Sequence, residues 1–253
     1  FAEAGLPVIA ALTHEGDPLF SLNENNTLIV FPKIEAETIC PPIGPMPAAS
    51  CAAAGEILGR MHDMGLTQLP GDRTFSFDFS VDDRTLETLL EKADLETSRR
   101  DWILATNQVC RKAQERGARH AVYSHGDYFP HNLIFDQHGT PHVIDFEMAG
   151  LVHPMTELVL ATILFSGRIT TDKFDGTSLE EFLAGYRGQA PIRPEQLEDG
   201  FWGAINKAWI NWIAYNLAYG DPEVAQATIA GLEKIVAQKD RVLERITGAP
   251  RPS

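Results

Sequence analysis

An α+β fold of two unequal lobes is predicted for this chain by three observations: a strand hairpin near its start, a proline-rich break, and a long helix-periodic remainder interrupted by one short β-hairpin. The opening residues 1–5 read as the last turn of a helix stopped by Gly5 and Pro7, leading into a strand at Leu6-Pro7-Val8-Ile9. Strand-like runs follow at about 18–22 and 28–32, separated by Asn23-Glu24-Asn25-Asn26, whose side chains favour turns. Prolines at 41, 42, 45 and 47 exclude regular hydrogen-bonded structure over 35–47. Residues 1–32 are therefore expected to form the strands of a small lobe, 33–47 a hinge, and 48–253 a mainly helical lobe.

Within the larger lobe, Ile57, Leu58 and Met61 share one face of an Ala-rich helix over 48–64 that Gly65 ends. A looser acidic stretch runs to Asp83, and the spacing of Leu86, Leu89, Leu90, Trp102, Ile103 and Val109 predicts two helices ending near Gly117. Two short apolar strands, Leu133-Ile134-Phe135 and His142-Val143-Ile144-Asp145, flank the turn Asp136-Gln137-His138-Gly139 and read as a hairpin with polar residues at both outer ends. Beyond Pro154 the pattern is helical over about 158–165, 179–186, 201–219 and 222–246.

The composition narrows the function classes. With 44% hydrophobic residues the chain can bury a large core. No run approaches the ~18 apolar residues of a membrane span, and the first residues lack the basic character of a signal peptide, so a cytoplasmic location is expected. A formal charge of −14 opposes nucleic acid backbones and anionic membranes, which are bound through clustered Lys and Arg. The same balance suits a cationic small-molecule substrate. Cys40, Cys51 and Cys110 lack metal or redox spacing and read as reduced, half-buried thiols.

Chemistry concentrates at His125-Gly126-Asp127-Tyr128-Phe129-Pro130-His131-Asn132 and at Asp145, thirteen residues further on. Because the first and last residues of a hairpin are neighbours, Asn132 and Asp145 can converge on one cation, and hard oxygen ligands of this kind suit Mg²⁺ held together with substrate phosphates. Asp127, on the preceding loop, is placed to accept the proton of an attacking hydroxyl. The order of these parts matches kinase catalysis, where an Asp of a His-x-Asp-x-x-x-x-Asn loop orients the nucleophile and the Asn and a later Asp hold metal. Here Gly126 stands where protein kinases carry Arg, and the later triplet is Asp145-Phe146-Glu147.

At these residues the chain resembles the aminoglycoside phosphotransferase and choline kinase family, the small-molecule branch of the protein-kinase-like fold. The resemblance extends to Leu6-Pro7-Val8-Ile9, Leu28-Ile29-Val30-Phe31-Pro32 and Leu58-Gly59-Arg60-Met61-His62. It implies a two-lobed kinase-like fold, Asp127 as catalytic base, Asn132 and Asp145 as Mg²⁺ ligands, and His125 as a structural brace of the loop. It also implies that backbone atoms near Phe31, Pro32, Lys33 and Ile34 bind the adenine of ATP. The acceptor would be a hydroxylated small molecule such as an aminoglycoside, choline or homoserine.

The chain departs from that pattern in two places. Lys33 is the only lysine before position 92 and sits at the hinge, so no upstream lysine is present to pair with the α and β phosphates. The expectation is that the nucleotide loop and this lysine precede Phe1; the competing expectation is a kinase-like module that binds ligand without chemistry. Where the family carries Asp-Pro-x-x-x-Asp-Leu, this chain has His153 and Glu157, and Glu157 is expected to brace the catalytic loop through hydrogen bonds.

Three further readings remain. His125, Asp127, His131 and His142 form the residue set of a metal-dependent hydrolase, although their spacing fits no helical zinc motif. His62 is expected to cap its helix and His131 to lie at the surface. Trp202, Ile205, Trp209, Trp212, Ile213 and Leu217 recur at helical spacing as a buried face, while Trp202, Asn211, Tyr215 and Tyr219 are candidates for an acceptor pocket, since aromatic faces attract ammonium groups.

Overall fold

A computed structural model describes residues 1–2, 5–13, 19–23, 26–34, 36–37, 45–66, 80–167 and 174–248. The N-terminal strands β1 (Leu19–Asn23) and β2 (Asn26–Ile29) pair antiparallel with Leu19 opposite Ile29, as the alternation predicts. Most of the turn between them lies outside the described residues. Gly5 adopts φ +73° and its amide bonds to the Ala2 carbonyl, which turns the chain into the next segment. That segment does not form a strand of its own. Val8 makes an isolated parallel bridge to Val143, with Val143 N donating to Pro7 O and Ile9 N to Val143 O.

The proline-rich segment carries one element the sequence does not predict. β3 (Ala36–Glu37) pairs antiparallel with β5 (Leu133–Asp136), which pairs in turn with β6 (Pro141–Val143). Two residues upstream of the prolines retain free N–H groups and an unpaired sheet edge is available, so the ladder extends where composition alone argues against it. The predicted hairpin is otherwise present. Asp136 Oδ1 accepts from the His138 and Thr140 amides, and Gly139 takes φ +77°, so this turn is built by its Asp and Gly. A separate small sheet pairs β4 (Val122–Ser124) antiparallel with β7 (Gly150–Val152), before and after the hairpin in the chain.

Nine helices are described: α1 (Ala48–Asp63), α2 (Asp83–Lys92), α3 (Thr97–Gly117), α4 (Pro154–Ser166), α5 (Gly176–Arg187), α6 (Pro194–Ile205), α7 (Asn211–Ala218), α8 (Pro222–Ala237) and α9 (Lys239–Thr247). α4 is apolar all round, with Leu158, Val159, Leu160, Ala161, Ile163 and Phe165 buried, and so occupies the centre of the lobe. Asp82 and Asp175 cap α2 and α5 by accepting from the Thr85 and Ser178 amides. The single helix predicted over 201–219 instead begins at Pro194 and is divided by a π-helical turn, Asn206–Ile210. The predicted helix over 222–246 is likewise divided at Gln238. Two cysteine positions also differ from expectation: Cys51 and Cys110 are fully buried, and burial pushes both thiols up to about 12, which leaves them unreactive. Cys40 lies outside the described residues.

Glycines set the closest helix contacts. A Cβ at Gly55 of α1 would fall on the Phe182 carbonyl of α5, and one at Gly185 of α5 would fall on the Ala52 carbonyl of α1. Both obstacles are backbone atoms in a packed core, which yield poorly. Gly55→Ala is therefore expected to destabilise the fold by about 1–3 kcal/mol, read as a lower urea midpoint. Gly176→Ala, at a position with open space around it, should leave that midpoint unchanged.

Candidate active site

The loop that carries Asp127 leaves β4 at Ser124, and hydrogen bonds hold it at His125, Gly126 and Asp127. His125 is fully buried. Its Nε2 lies 2.7 Å from the Ile144 carbonyl and its Nδ1 3.1 Å from the Asp127 amide, so the ring is satisfied as the tautomer that donates from Nε2 and accepts at Nδ1. The ring also packs on Phe146, 4.6 Å between centroids. His125 thus ties the loop to the chain just before Asp145.

Gly126 explains why this loop has no arginine in second position. It adopts φ +76°, and a Cβ there would fall on the Met148 carbonyl. Its amide donates to Glu157 Oε1 at 2.7 Å. Asp127 follows, half-buried, and receives the side chain of Asn132: Nδ2 donates to the Asp127 carbonyl at 2.7 Å and to Oδ2 at 3.2 Å. The Asn132 carbonyl in turn accepts from the Ile144 amide at 3.0 Å. Asp145 is the next residue, exposed, and held at φ 64°, ψ 60°. A left-handed aspartate costs on the order of 1–3 kcal/mol and turns the chain sharply out of the hairpin. Asp127 and Asn132 are therefore in direct contact, and Asp145 is joined to Asn132 through the backbone of its neighbour.

Glu157, on the first turn of α4, is 4% exposed. Oε1 takes the Gly126 amide, and Oε2 sits 3.0 Å from His62 Nε2. Burial alone would raise this carboxyl; the bond and charge of His62, with Ser124 and His125 adding to them, outweigh it and bring the group down to about 2. His62 does not cap its helix. It is buried on the inner face of α1, with Nε2 on Glu157 and Nδ1 2.9 Å from the Tyr186 hydroxyl of α5. Donation from Nε2 leaves Nδ1 to accept the phenol proton, so each atom has its partner. The sequence signal for this residue was its place at the end of the α1 motif. His153, at the other substituted position, is half-buried, and burial depresses it to about 4, so it stays neutral where the family carries an acid.

The remaining expected residues are placed as follows. Phe31, Pro32 and Lys33 are exposed and Ile34 half-buried, in extended chain just after β2. His131 is exposed, as expected, and His142 is turned toward Asp136, 3.2 Å away. With both nitrogens of His125 committed and His142 so engaged, the histidine set of a hydrolase does not assemble. Among the described residues no group of three or more His, Cys, Asp and Glu is arranged to hold a metal.

Trp202 lies beneath the Lys239 ammonium of α9, 5.8 Å from its ring, and edge-on to Phe201. Asn211 spends its carbonyl on the Val81 amide. Tyr215 and Tyr219 are exposed on α7, and Tyr215 stacks on Trp212 at 5.3 Å, so Trp212 is at the surface, not in the core as its periodicity suggested. Trp202 therefore keeps different company from Tyr215 and Tyr219. A cavity of about 410 Å³ lined by Phe174, Leu179, Arg241 and Arg245 shares no residue with the loop.

Comparison with known proteins agrees with this architecture. Residues 1–196 match the family model described as the phosphotransferase enzyme family. No curated protein sequence matches the chain. Among solved structures, a microcompartment-associated aminopropanol kinase superposes with a TM-score of 0.66 at 17% identity, covering 95% of this chain and 77% of that one. A choline/ethanolamine kinase family protein from Mesorhizobium loti gives 0.59 at 18% identity, covering 98% and 80%. A spectinomycin phosphotransferase in complex with ADP and spectinomycin gives 0.60 at 13% identity, covering 97% and 78%. These likenesses establish the kinase-like fold, and with the matched residues spanning most of its length, the chain belongs to the phosphotransferase enzyme family.

Proposed function

We propose that this protein transfers the γ-phosphoryl group of ATP to a hydroxyl of a small molecule, with Asp127 as the base. The observation that carries this reading is the Asn132 side chain clamped on Asp127 while its own carbonyl is bonded to the residue preceding Asp145. The acceptor O–H gives its proton to the Asp127 carboxylate as its oxygen bonds to the γ-phosphorus and the bridging bond to ADP breaks. Asp127 owes its position to a loop whose Gly126, Asp127, Phe129 and Asn132 amides and His125 imidazole are engaged, so little reorganisation remains for the reacting state.

The donor set fits a hard cation. Asn132 commits only its nitrogen, which leaves Oδ1 available, and Asp145 is an exposed carboxylate with no partner among the described residues. Asn132 and Asp145 would hold Mg²⁺, which supplies charge neutralisation on the phosphates when bound. The extended backbone at Phe31–Ile34 would receive the adenine. The acidic balance of the whole chain favours acceptors that carry an amine.

Three expectations test this reading and the brace behind it. In the full-length protein, Asp127→Ala should lower turnover by about 10²–10⁴-fold in an ADP-release assay while ATP binding by calorimetry is retained; undiminished turnover would refute the assignment. Asp145→Asn should raise the Mg²⁺ concentration needed for half-maximal rate, with the acceptor KM unaffected.

The third concerns pH. Glu157 is lowered on folding, so its stabilisation is present above the ordinary carboxyl range and is lost as pH falls from about 4.5 to about 2. Glu157→Gln should cost about 2–4 kcal/mol at pH 7. The same substitution should flatten the acid limb of stability in urea titrations repeated across that pH window.

A further inference from the structure

Lys207 is the cation that neither the fold nor the proposed chemistry has used. It is half-buried, and among the described residues it makes no hydrogen bond or ion pair. Its position follows from helix register. Gly200, Gly203 and Lys207 are spaced i, i+3, i+7 and so share one face. That face lies on the start of α4: a Cβ at Gly200 would meet Met155, and one at Gly203 would meet Thr156. The next residue of α4 is Glu157, which holds Gly126 beside Asp127. The face that carries Lys207 therefore runs onto the catalytic loop, and Glu157 and Asp127 are the carboxylates whose charge the ammonium feels.

The local backbone fixes this placement. Lys207 stands in the π-helical turn Asn206–Ile210, a wide turn that re-aims side chains and recurs at functional sites. The turn is anchored. Asn206 donates to Asn107 and accepts from Gln114, both at 3.1 Å, and Trp209 and Ile210 are fully buried.

Neither nearby carboxylate neutralises the lysine through a contact. Both Glu157 oxygens are committed to Gly126 and His62, and Asp127 Oδ2 takes the Asn132 amide. Burial lowers the ammonium's proton affinity, and the two carboxylates only partly oppose that. An anion arriving in the cleft would relieve the cost directly, because a half-buried charge gains most from the partner it lacks.

We propose that Lys207 is the acceptor-anchoring residue of this site: its ammonium takes a carboxylate or similar anion carried by the acceptor, close to the hydroxyl aligned by Asp127. The inference rests on the phosphotransferase reading and narrows its substrate class to hydroxylated amino acids or hydroxy acids, despite the acidic surface. It assigns Lys207 to acceptor binding, not to the phosphoryl group in flight.

Matched acceptors that differ only by a carboxylate provide the test: L-homoserine against 3-amino-1-propanol, and L-threonine against 1-amino-2-propanol, with full-length wild type, Lys207→Met and Lys207→Arg. The expected result is at least a tenfold preference of the wild type for a carboxylate member, in kcat/KM and in equilibrium binding by calorimetry. Lys207→Met should erase it by raising that member's KM and Kd tenfold or more while those of the carboxylate-free partner change far less, and Lys207→Arg should largely restore it. A wild type that binds and phosphorylates the carboxylate-free members equally well overturns the proposal. So does a Lys207→Met variant whose kcat falls for both members of a pair at constant KM, which would place the ammonium on the transferred group. Turnover undiminished by Asp127→Ala strikes the assignment of the base, and a wild type that phosphorylates no member of either pair strikes the phosphotransferase reading; in both cases the calorimetric comparison still decides the lysine's role.

Discussion

The structure around the loop depends on one buried anion. The Glu157 carboxylate sits at the start of the central helix α4 and reaches three other parts of the chain: the loop through Gly126, α1 through His62, and α5 through the His62–Tyr186 bond. A carboxylate removed from water is costly unless every oxygen finds a partner, and here both do. Satisfying it requires α1, α4, α5 and the loop to be correctly assembled at once, so the requirement couples the packing of the lobe to the position of Asp127. The close glycine contacts between α1 and α5 serve the same end by bringing His62 and Tyr186 within bonding distance.

Backbone conformation does the rest. Gly126 in the loop and Asp145 just after the hairpin are both left-handed. Gly126 meets this demand at no steric cost. Asp145 does so against its preference, and the surrounding bonds must hold it there. His125 supplies one of them by donating to the carbonyl of Ile144, the residue just before the strained turn. Strain at the residue proposed to hold the cation is consistent with a site arranged before its ligands arrive.

Charge is distributed against its own average. The chain carries a formal −14, yet a half-buried lysine stands beside the loop; of the two carboxylates whose charge reaches it, Glu157 has both oxygens bonded and Asp127 has Oδ2 bonded to Asn132. Net charge describes long-range attraction and solubility; recognition within a cleft is decided by the few groups that face it.

Much of this was legible in the sequence because it is local. The hairpin around Asp136–Thr140, the helix faces of α1 and α2, and the order Asp127, Asn132, Asp145 all follow from spacing and turn chemistry within a few residues. What the sequence could not reveal joins distant segments. His62 reads as a helix-end histidine until α1 is laid against α4 and α5. Trp212 reads as core until the π turn shifts the register of α7 and exposes it. Lys207 carries no signal in the sequence, and its place is set only once Gly200 and Gly203 seat its helix face on α4. β3 forms in a segment that its composition argued against, because a sheet edge was waiting there. In each case the deciding quantity is a through-space distance set by packing many residues away, and pattern along the chain carries no measure of it.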